Sequence, residues 1–210
     1  MTRIVAGEAR GRRLQVPSGA GTRPTSDRVR EALFSAVQSA RGGWSGARVL
    51  DLYAGSGALG LEALSRGADT AEMVELARRA LTALRHNVKV VGLPGARVVA
   101  DRVERHVLAS PAEPFDVIML DPPYSLADAA VGEVLASLVR RRWFASDALV
   151  VVERSSRGDR LTWPAGLEGL RKRRYGETTL WYGQPAMESQ PAQVPVEPAD
   201  DLEPAEEGAT

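Results

Sequence analysis

The chain has 210 residues, 44% of them hydrophobic, which suits a single globular enzyme domain with a small extension. It has no cysteine, two histidines (His86 and His106) and no apolar run of the roughly 18 residues a membrane span needs, so disulfides and thiolate metal sites are excluded and a metal-free cytoplasmic protein away from membranes is expected. The formal net charge of zero hides seven acids and no Lys or Arg in residues 187–210; the rest holds 27 basic against 20 acidic residues, a body of about +7 that suits a polyanionic partner.

Residues 1–40 form a basic extension containing Arg3, Arg10, Arg12, Arg13, Arg23, Arg28 and Arg30, opposed up to Arg30 only by Glu8 and Asp27. "RIVAGEARGRRLQVP" reads as two short strands around a glycine-containing turn. "TSDRVREALFSAVQSA" reads as a helix capped near Ser26 or Asp27, with Val29, Leu33, Ala36 and Val37 on one face. Residues 41–186 then alternate apolar runs with amphipathic stretches, as in a mostly parallel sheet covered on both faces. The strands are "ARVLDLY", "TAEMVE", "ARVVA", "FDVIML" and "ALVVVE". Helices are predicted over Ala58–Arg66, Leu76–Val91, Val103–Ala109 and Leu126–Arg141. "LRKRRYGETTLWYG" reads as an antiparallel hairpin turning at Tyr175 and Gly176, which brings the sheet to seven strands. Residues 187–210, with four prolines and one sign of charge, cannot offset their ordering entropy by burial and read as a disordered tail.

The run Asp51-Leu52-Tyr53-Ala54-Gly55-Ser56-Gly57-Ala58-Leu59-Gly60 leaves the carboxyl end of the first sheet strand and enters a helix, the place where open α/β sheets bind ligands. Gly55 and Gly57 allow a tight turn and close approach to the backbone. The same spacing matches a dinucleotide fingerprint whose helix terminus holds a pyrophosphate, so an NAD-dependent oxidoreductase stays open. Asp51 weighs against it, because a carboxylate there repels a pyrophosphate and suits the cationic amino group of a methionine moiety. Glu75, ending the second strand, fits a ribose-hydroxyl acceptor under either reading. Asp101, ending the third, is placed to accept from an adenine amino group or to cap the following helix.

Asp121-Pro122-Pro123-Tyr124 follows the fourth strand and is therefore expected on the same rim as the glycine loop. An aromatic amino nitrogen is a poor nucleophile because its lone pair is delocalised. A carboxylate (Asp121) and a carbonyl (Pro122), held rigid by the prolines, would accept its two hydrogens and aim the lone pair at a sulfonium methyl, while Tyr124 stacks on the base.

The pairing of "DLYAGSGALGLEALSRGA" with "DPPY" resembles class I amino-methyltransferases acting on adenine N6 or guanine N2. "RIVAGEARGRRLQVP" followed by "TRPTSDRVREALF" is similar, more narrowly, to the RsmD family of 16S ribosomal RNA guanine-N2 methyltransferases, over about residues 1–184. The resemblance implies a Rossmann-like class I methyltransferase fold and S-adenosylmethionine held by Asp51, Tyr53, Ala54, Gly55, Ser56, Gly57, Glu75 and Asp101. It also implies a flipped guanine (guanine-966) at Asp121, Pro122 and Tyr124. RNA would be gripped by Arg10, Arg12, Arg13, Arg23, Arg28 and Arg30 on a mobile hairpin and helix. The implied substrate is 16S rRNA in a 30S assembly intermediate with its ribosomal proteins, met by a monomer. A DNA or RNA adenine-N6 methyltransferase remains the alternative within the same chemistry, and an inactive RNA-binding module a more remote one.

Overall fold

Alternation of branched aliphatic runs with amphipathic stretches resolves, in the computed structural model, into nine strands and five helices among the described residues, 2–17, 27–158 and 161–186. The expected tail, Arg23 and a cap at Ser26 lie outside the described residues. In chain order the elements are β1 (Thr2–Arg3), β2 (Arg13–Leu14), α1 (Asp27–Arg41), β3 (Arg48–Leu52), α2 (Ala58–Ser65), β4 (Thr70–Glu75), α3 (Arg78–Val91) and β5 (Ala96–Ala100). They continue with α4 (Val103–His106), β6 (Phe115–Leu120), α5 (Asp128–Arg140), β7 (Phe144–Ser155), β8 (Leu167–Tyr175) and β9 (Thr178–Pro185).

The large sheet has the order β5-β4-β3-β6-β7-β9-β8. Its first five strands are parallel, and β9 runs antiparallel to both β7 and β8. From β3 the chain builds outward to β5, then returns to lay β6 on the other side of β3. The order therefore reverses between β3 and β6, where a crevice opens at the strand carboxyl ends. Both faces are covered. Val49, Met73, Val117 and Val151 pack with residues of α1, α2 and α3, whereas Leu50, Leu52, Val74, Ile118 and Val152 pack with α4 and α5. That two-sided burial is why these strands are nearly continuous apolar runs.

The amino-terminal extension is built into the first of these cores through Ile4, Leu14, Leu33, Phe34 and Val37. Its two strands are only two residues long, so its backbone needs other partners. The last turn of α2 supplies them. The fully buried Glu62 carboxylate accepts from the N–H groups of Val5 (2.7 Å) and Ala6 (2.9 Å) and from Arg66 Nε (2.8 Å). Ser65 Oγ accepts from Ala9 N–H (3.0 Å) and donates to the Ala6 carbonyl (2.6 Å). The expected mobile hairpin is thus corrected to one clamped along α2.

Of the predicted helices, the one over Val103–Ala109 is shorter than expected. It makes a single turn ending at His106, and Leu108 and Ala109 then donate three residues back, to Arg105 and His106. Pro111 lies just beyond and disfavours helical backbone at Ser110. His106 bonds Glu72 at 2.6 Å and packs edge-on against Trp143, while His86 is exposed on α3. Among the described residues, no helix is long and apolar enough to cross a membrane.

Replacing Glu62 with alanine strands the Val5 and Ala6 amides and leaves Arg66 without its buried partner. Stability in urea unfolding is expected to fall by about 3 kcal/mol. Hydrogen exchange at Val5 and Ala6 should accelerate more than exchange in β3 and β6.

Candidate active site

The glycine loop is shaped by what α2 must approach. Tyr53 leaves β3 in the left-handed region (φ 63°), and Ala54 N–H still reaches the β4 carbonyl of Val74 (3.0 Å). Gly57, also left-handed (φ 80°), starts α2; a Cβ there would lie 2.3 Å from Leu84 Cδ1. A Cβ at Gly60 would lie 2.6 Å from Met73 Cγ. With neither present, α2 sits close enough for Gly60 N–H to donate to Asp51 Oδ2 at 2.9 Å.

Asp51 itself is 1% exposed, and its Oδ1 has no hydrogen-bond partner among the described residues. Burial lifts its carboxyl to about 7; the Gly60 N–H works against that rise, and the nearby charges of Asp121 and Glu75 add to it. Glu75 organises the neighbouring loops. Its Oε2 accepts from Gly55 N–H (2.8 Å) and its Oε1 from Leu76 (2.8 Å) and Ala77 (2.7 Å). Asp101 accepts from Arg102 N–H (2.6 Å) and from Arg105 (2.7 Å), whose guanidinium holds its carboxyl below the usual range. The cap position of α4 is Arg102, with no side-chain cap bond, so the capping alternative for Asp101 does not hold.

Across the crevice, Asp121 N–H donates to the Leu52 carbonyl (3.3 Å), pinning the Asp-Pro-Pro-Tyr turn against the end of β3. Pro122 is buried, and the turn closes one residue later, from Leu126 N–H to the Pro123 carbonyl (2.9 Å). Tyr124 is 48% exposed with its hydroxyl 3.3 Å from Thr178 Oγ1. One cavity of about 480 Å³ is lined by Asp51, Tyr53 to Ser56, Glu75, Asp101 and Asp121 to Tyr124. Of the residues expected to bind cofactor or flank the base, only Gly57 stays out of its wall; it turns the chain instead. The wall carries the carboxylates of Asp51, Glu75, Asp101, Glu104 and Asp121 against the guanidiniums of Arg30 and Arg102.

Arg30 was expected to face RNA and does not. It is 1% exposed: Nη2 donates to the Arg3 carbonyl and to Asp27 (2.7 Å each), whereas Nε and Nη1 have no partner among the described residues. Its place in the stripe Arg30, Leu33, Phe34 and Val37, spaced three and four apart, is the signal that puts it on the buried face. Arg12 is exposed but already engaged, donating to the carbonyls of Val90 and Val91 at the carboxyl end of α3, where a cation offsets the helix dipole. Arg10, Arg13 and Arg28 are exposed. Sequence reading also passed over Asn87, which is fully buried on α3. Its Nδ2 donates to the carbonyls of Ser56 (2.8 Å) and Gln15 (2.9 Å), and its Oδ1 accepts from Gln15 N–H (2.8 Å). A lone polar residue in the stripe of Leu84 and Val91 is the signal that could have found it.

A cavity at the strand-order reversal, walled by the loops after β3, β4, β5 and β6, belongs to the Rossmann-like class I methyltransferase architecture. Magnesium protoporphyrin IX methyltransferase from Synechocystis PCC 6803, solved with bound S-adenosylmethionine, shares that fold at a TM-score of 0.58 and 12% identity, over 76% of this chain and 79% of that one. The chain belongs to the RsmD family: residues 2–184 match the family model described as conserved hypothetical protein 95. Ribosomal RNA small subunit methyltransferase D of Escherichia coli K12 is 40% identical over 151 residues, 72% of this chain and 73% of its own. The Haemophilus influenzae protein of the same name is 36% identical over 156 residues, covering 72% and 77%. The solved structure of a hypothetical protein from Thermus thermophilus matches at a TM-score of 0.72 and 38% identity, over 87% of this chain and 98% of that one.

Asp51 makes stability pH-dependent with a definite sign. Between the ordinary value of 3.8 and about 7 the folded chain holds a proton that the unfolded chain has released, so this group's stabilising contribution is lost as pH rises through that window. Asp51→Asn has no titrating group at this position. Urea unfolding of both proteins without ligand, from pH 4 to 8, should show the variant gaining on the wild type by up to about 4 kcal/mol. A pH-independent difference would remove the buried charge from the account.

Proposed function

We propose that this protein transfers the methyl group of S-adenosylmethionine to the exocyclic N2 of a guanine in 16S rRNA, the RsmD-type target guanine-966, after the base is flipped into the cavity. The substrate is an assembling 30S particle with its ribosomal proteins, met by a monomer in the cytoplasm. The observation carrying this reading is the shared cavity, in which the Asp-Pro-Pro-Tyr turn and the glycine loop line one carboxylate-rich space.

The wall fits the cofactor by charge and by its unpartnered atoms. Asp51 Oδ1 suits the methionine ammonium, and Arg30 Nε and Nη1 suit its carboxylate. Glu75 would accept from the ribose hydroxyls and Asp101 from the adenine amino group, with Tyr53, Ala54, Gly55 and Ser56 as the adjoining floor. The excess of carboxylates is the wrong sign for the pyrophosphate of NAD. When bound, S-adenosylmethionine supplies an electrophilic methyl on a sulfonium.

The chain's own part is positioning. Asp121 and the Pro122 carbonyl accept the two amino hydrogens, drawing the nitrogen lone pair out of conjugation and toward the donor side of the cavity. Half-exposed Tyr124 would present its ring to the incoming base, and Asp121 or solvent would take the proton as the N–C bond forms and the methyl–sulfur bond breaks, its electron pair leaving on a neutral thioether. The same acceptor pair serves adenine N6. Kinship to ribosomal RNA small subunit methyltransferase D supports RNA.

Labelled S-adenosylmethionine incubated with naked 16S rRNA, 30S particles from a methylation-deficient strain, or duplex DNA tests the reading. Label in a guanine of 16S rRNA is expected, and label confined to DNA defeats it. Asp121→Ala should keep cofactor affinity within about threefold while turnover falls by about 100-fold or more. For Arg30, decarboxylated S-adenosylmethionine should bind wild type at least about tenfold more weakly than the intact cofactor, and Arg30→Met should erase that difference in calorimetry. Equal discrimination by both proteins would free Arg30 of that role.

A further inference from the structure

The edge strand β8 carries a feature that the methyl-transfer site does not use. Among the described residues it pairs only with β9, and every residue from Glu168 to Arg174 is exposed, with Trp163 lying against the strand at Gly169. Arg171, Lys172, Arg173 and Arg174 occupy four successive positions. Side chains alternate along a strand, which puts cations on both faces, the four spanning about 10 Å.

Charge on an edge strand can serve merely to block pairing with another sheet. Two observations say more is built here. First, none of the four cations has an ion-pair partner among the described residues; the Arg174 guanidinium instead donates to the Gly176 carbonyl of the adjoining turn (3.1 Å). Second, two are seated on aromatic rings of β9: the Arg171 guanidinium lies 4.8 Å from the Tyr182 ring centre, and Lys172 Nζ lies 5.0 Å from that of Trp181. Such stacking holds the stems in place, so less side-chain entropy is lost when an anion binds.

The strand is also joined to the reaction centre. Tyr175, at its end, pairs with Thr178, whose hydroxyl is 3.3 Å from that of Tyr124. The row of cations therefore starts beside the residue that meets the base and runs away from it along the sheet edge. The amino-terminal hairpin is bound to α2 and α3, over the side of the sheet formed by β3 to β5; β8 is the opposite edge.

We propose that β8 is a second RNA-docking element, which takes the phosphodiester backbone flanking the reacting base through Arg171, Lys172, Arg173 and Arg174. This rests on the ribosomal RNA reading above. With the hairpin it gives the RNA two separate basic contacts, one toward each edge of the sheet.

The test compares wild type with a variant in which these four residues are glutamine and another in which Arg171, Arg173 and Arg174 are lysine. Binding of a 16S rRNA fragment is measured across salt concentrations, alongside methylation kinetics, S-adenosylmethionine affinity and thermal melting. In the glutamine variant the slope of log affinity against log salt should fall by about two to three. KM for RNA should rise by about tenfold or more while kcat, cofactor affinity and melting temperature hold. The lysine variant should keep the wild-type slope. An unchanged slope in the glutamine variant overturns the proposal, as does a lysine variant as impaired as the glutamine one. So does loss of methylation on 30S particles with naked RNA binding untouched, which would assign the strand to a ribosomal protein. Wild type that transfers no methyl to rRNA would instead sink the functional reading on which this rests.

Discussion

A carboxylate almost wholly buried sits near the carboxyl end of β3, the middle one of the five parallel strands, and much of the site is arranged around it. Asp51 keeps one strong interaction, the N–H of Gly60, and that contact is short only because Gly57 and Gly60 let α2 lie close against Leu84 and Met73. The same close packing sets where the helix begins and where the loop from Tyr53 to Ser56 runs. An uncompensated charge at such depth is costly, and the rise of its carboxyl to about 7 expresses that cost. A cationic ligand removes it.

The neighbouring acids divide the labour differently. Glu75 spends both oxygens on backbone amides of two loops, so it is a structural tie as well as an acceptor facing the cavity. Asp101 is held by Arg105, which keeps it ionised. Asp121 belongs to the opposite wall, pinned through its amide to the end of β3, so both walls of the cavity take one strand as their reference. Positioning of this kind lowers a barrier by orientation.

Much of the architecture was legible in the sequence. Apolar runs such as "FDVIML" are long enough and pure enough to specify two-sided burial, and glycine spacing with Asp-Pro-Pro-Tyr marks the two loops that meet. What failed to read through was decided by tertiary contact. A local pattern cannot show that Glu62 will reach back to Val5 and Ala6 across more than fifty residues, so the arm looked free. Arg30 looked like its exposed neighbours because charge count outweighed its position in the helical stripe. The helix after Asp101 stopped early because Pro111 and the turn at Leu108 won over a periodicity only a few residues long.

The amide of Asn87 couples two segments that lie far apart in the sequence. One buried group grips the backbone of the arm at Gln15 and that of the glycine loop at Ser56, so neither segment can be displaced without stretching a bond to the other. Val16 and Pro17, just past that grip, form part of the cavity wall. A molecule that moved the arm and a ligand that settled against the loop would therefore draw on a common strut. By reciprocity, whatever advantage one visitor confers on the other is returned in equal measure.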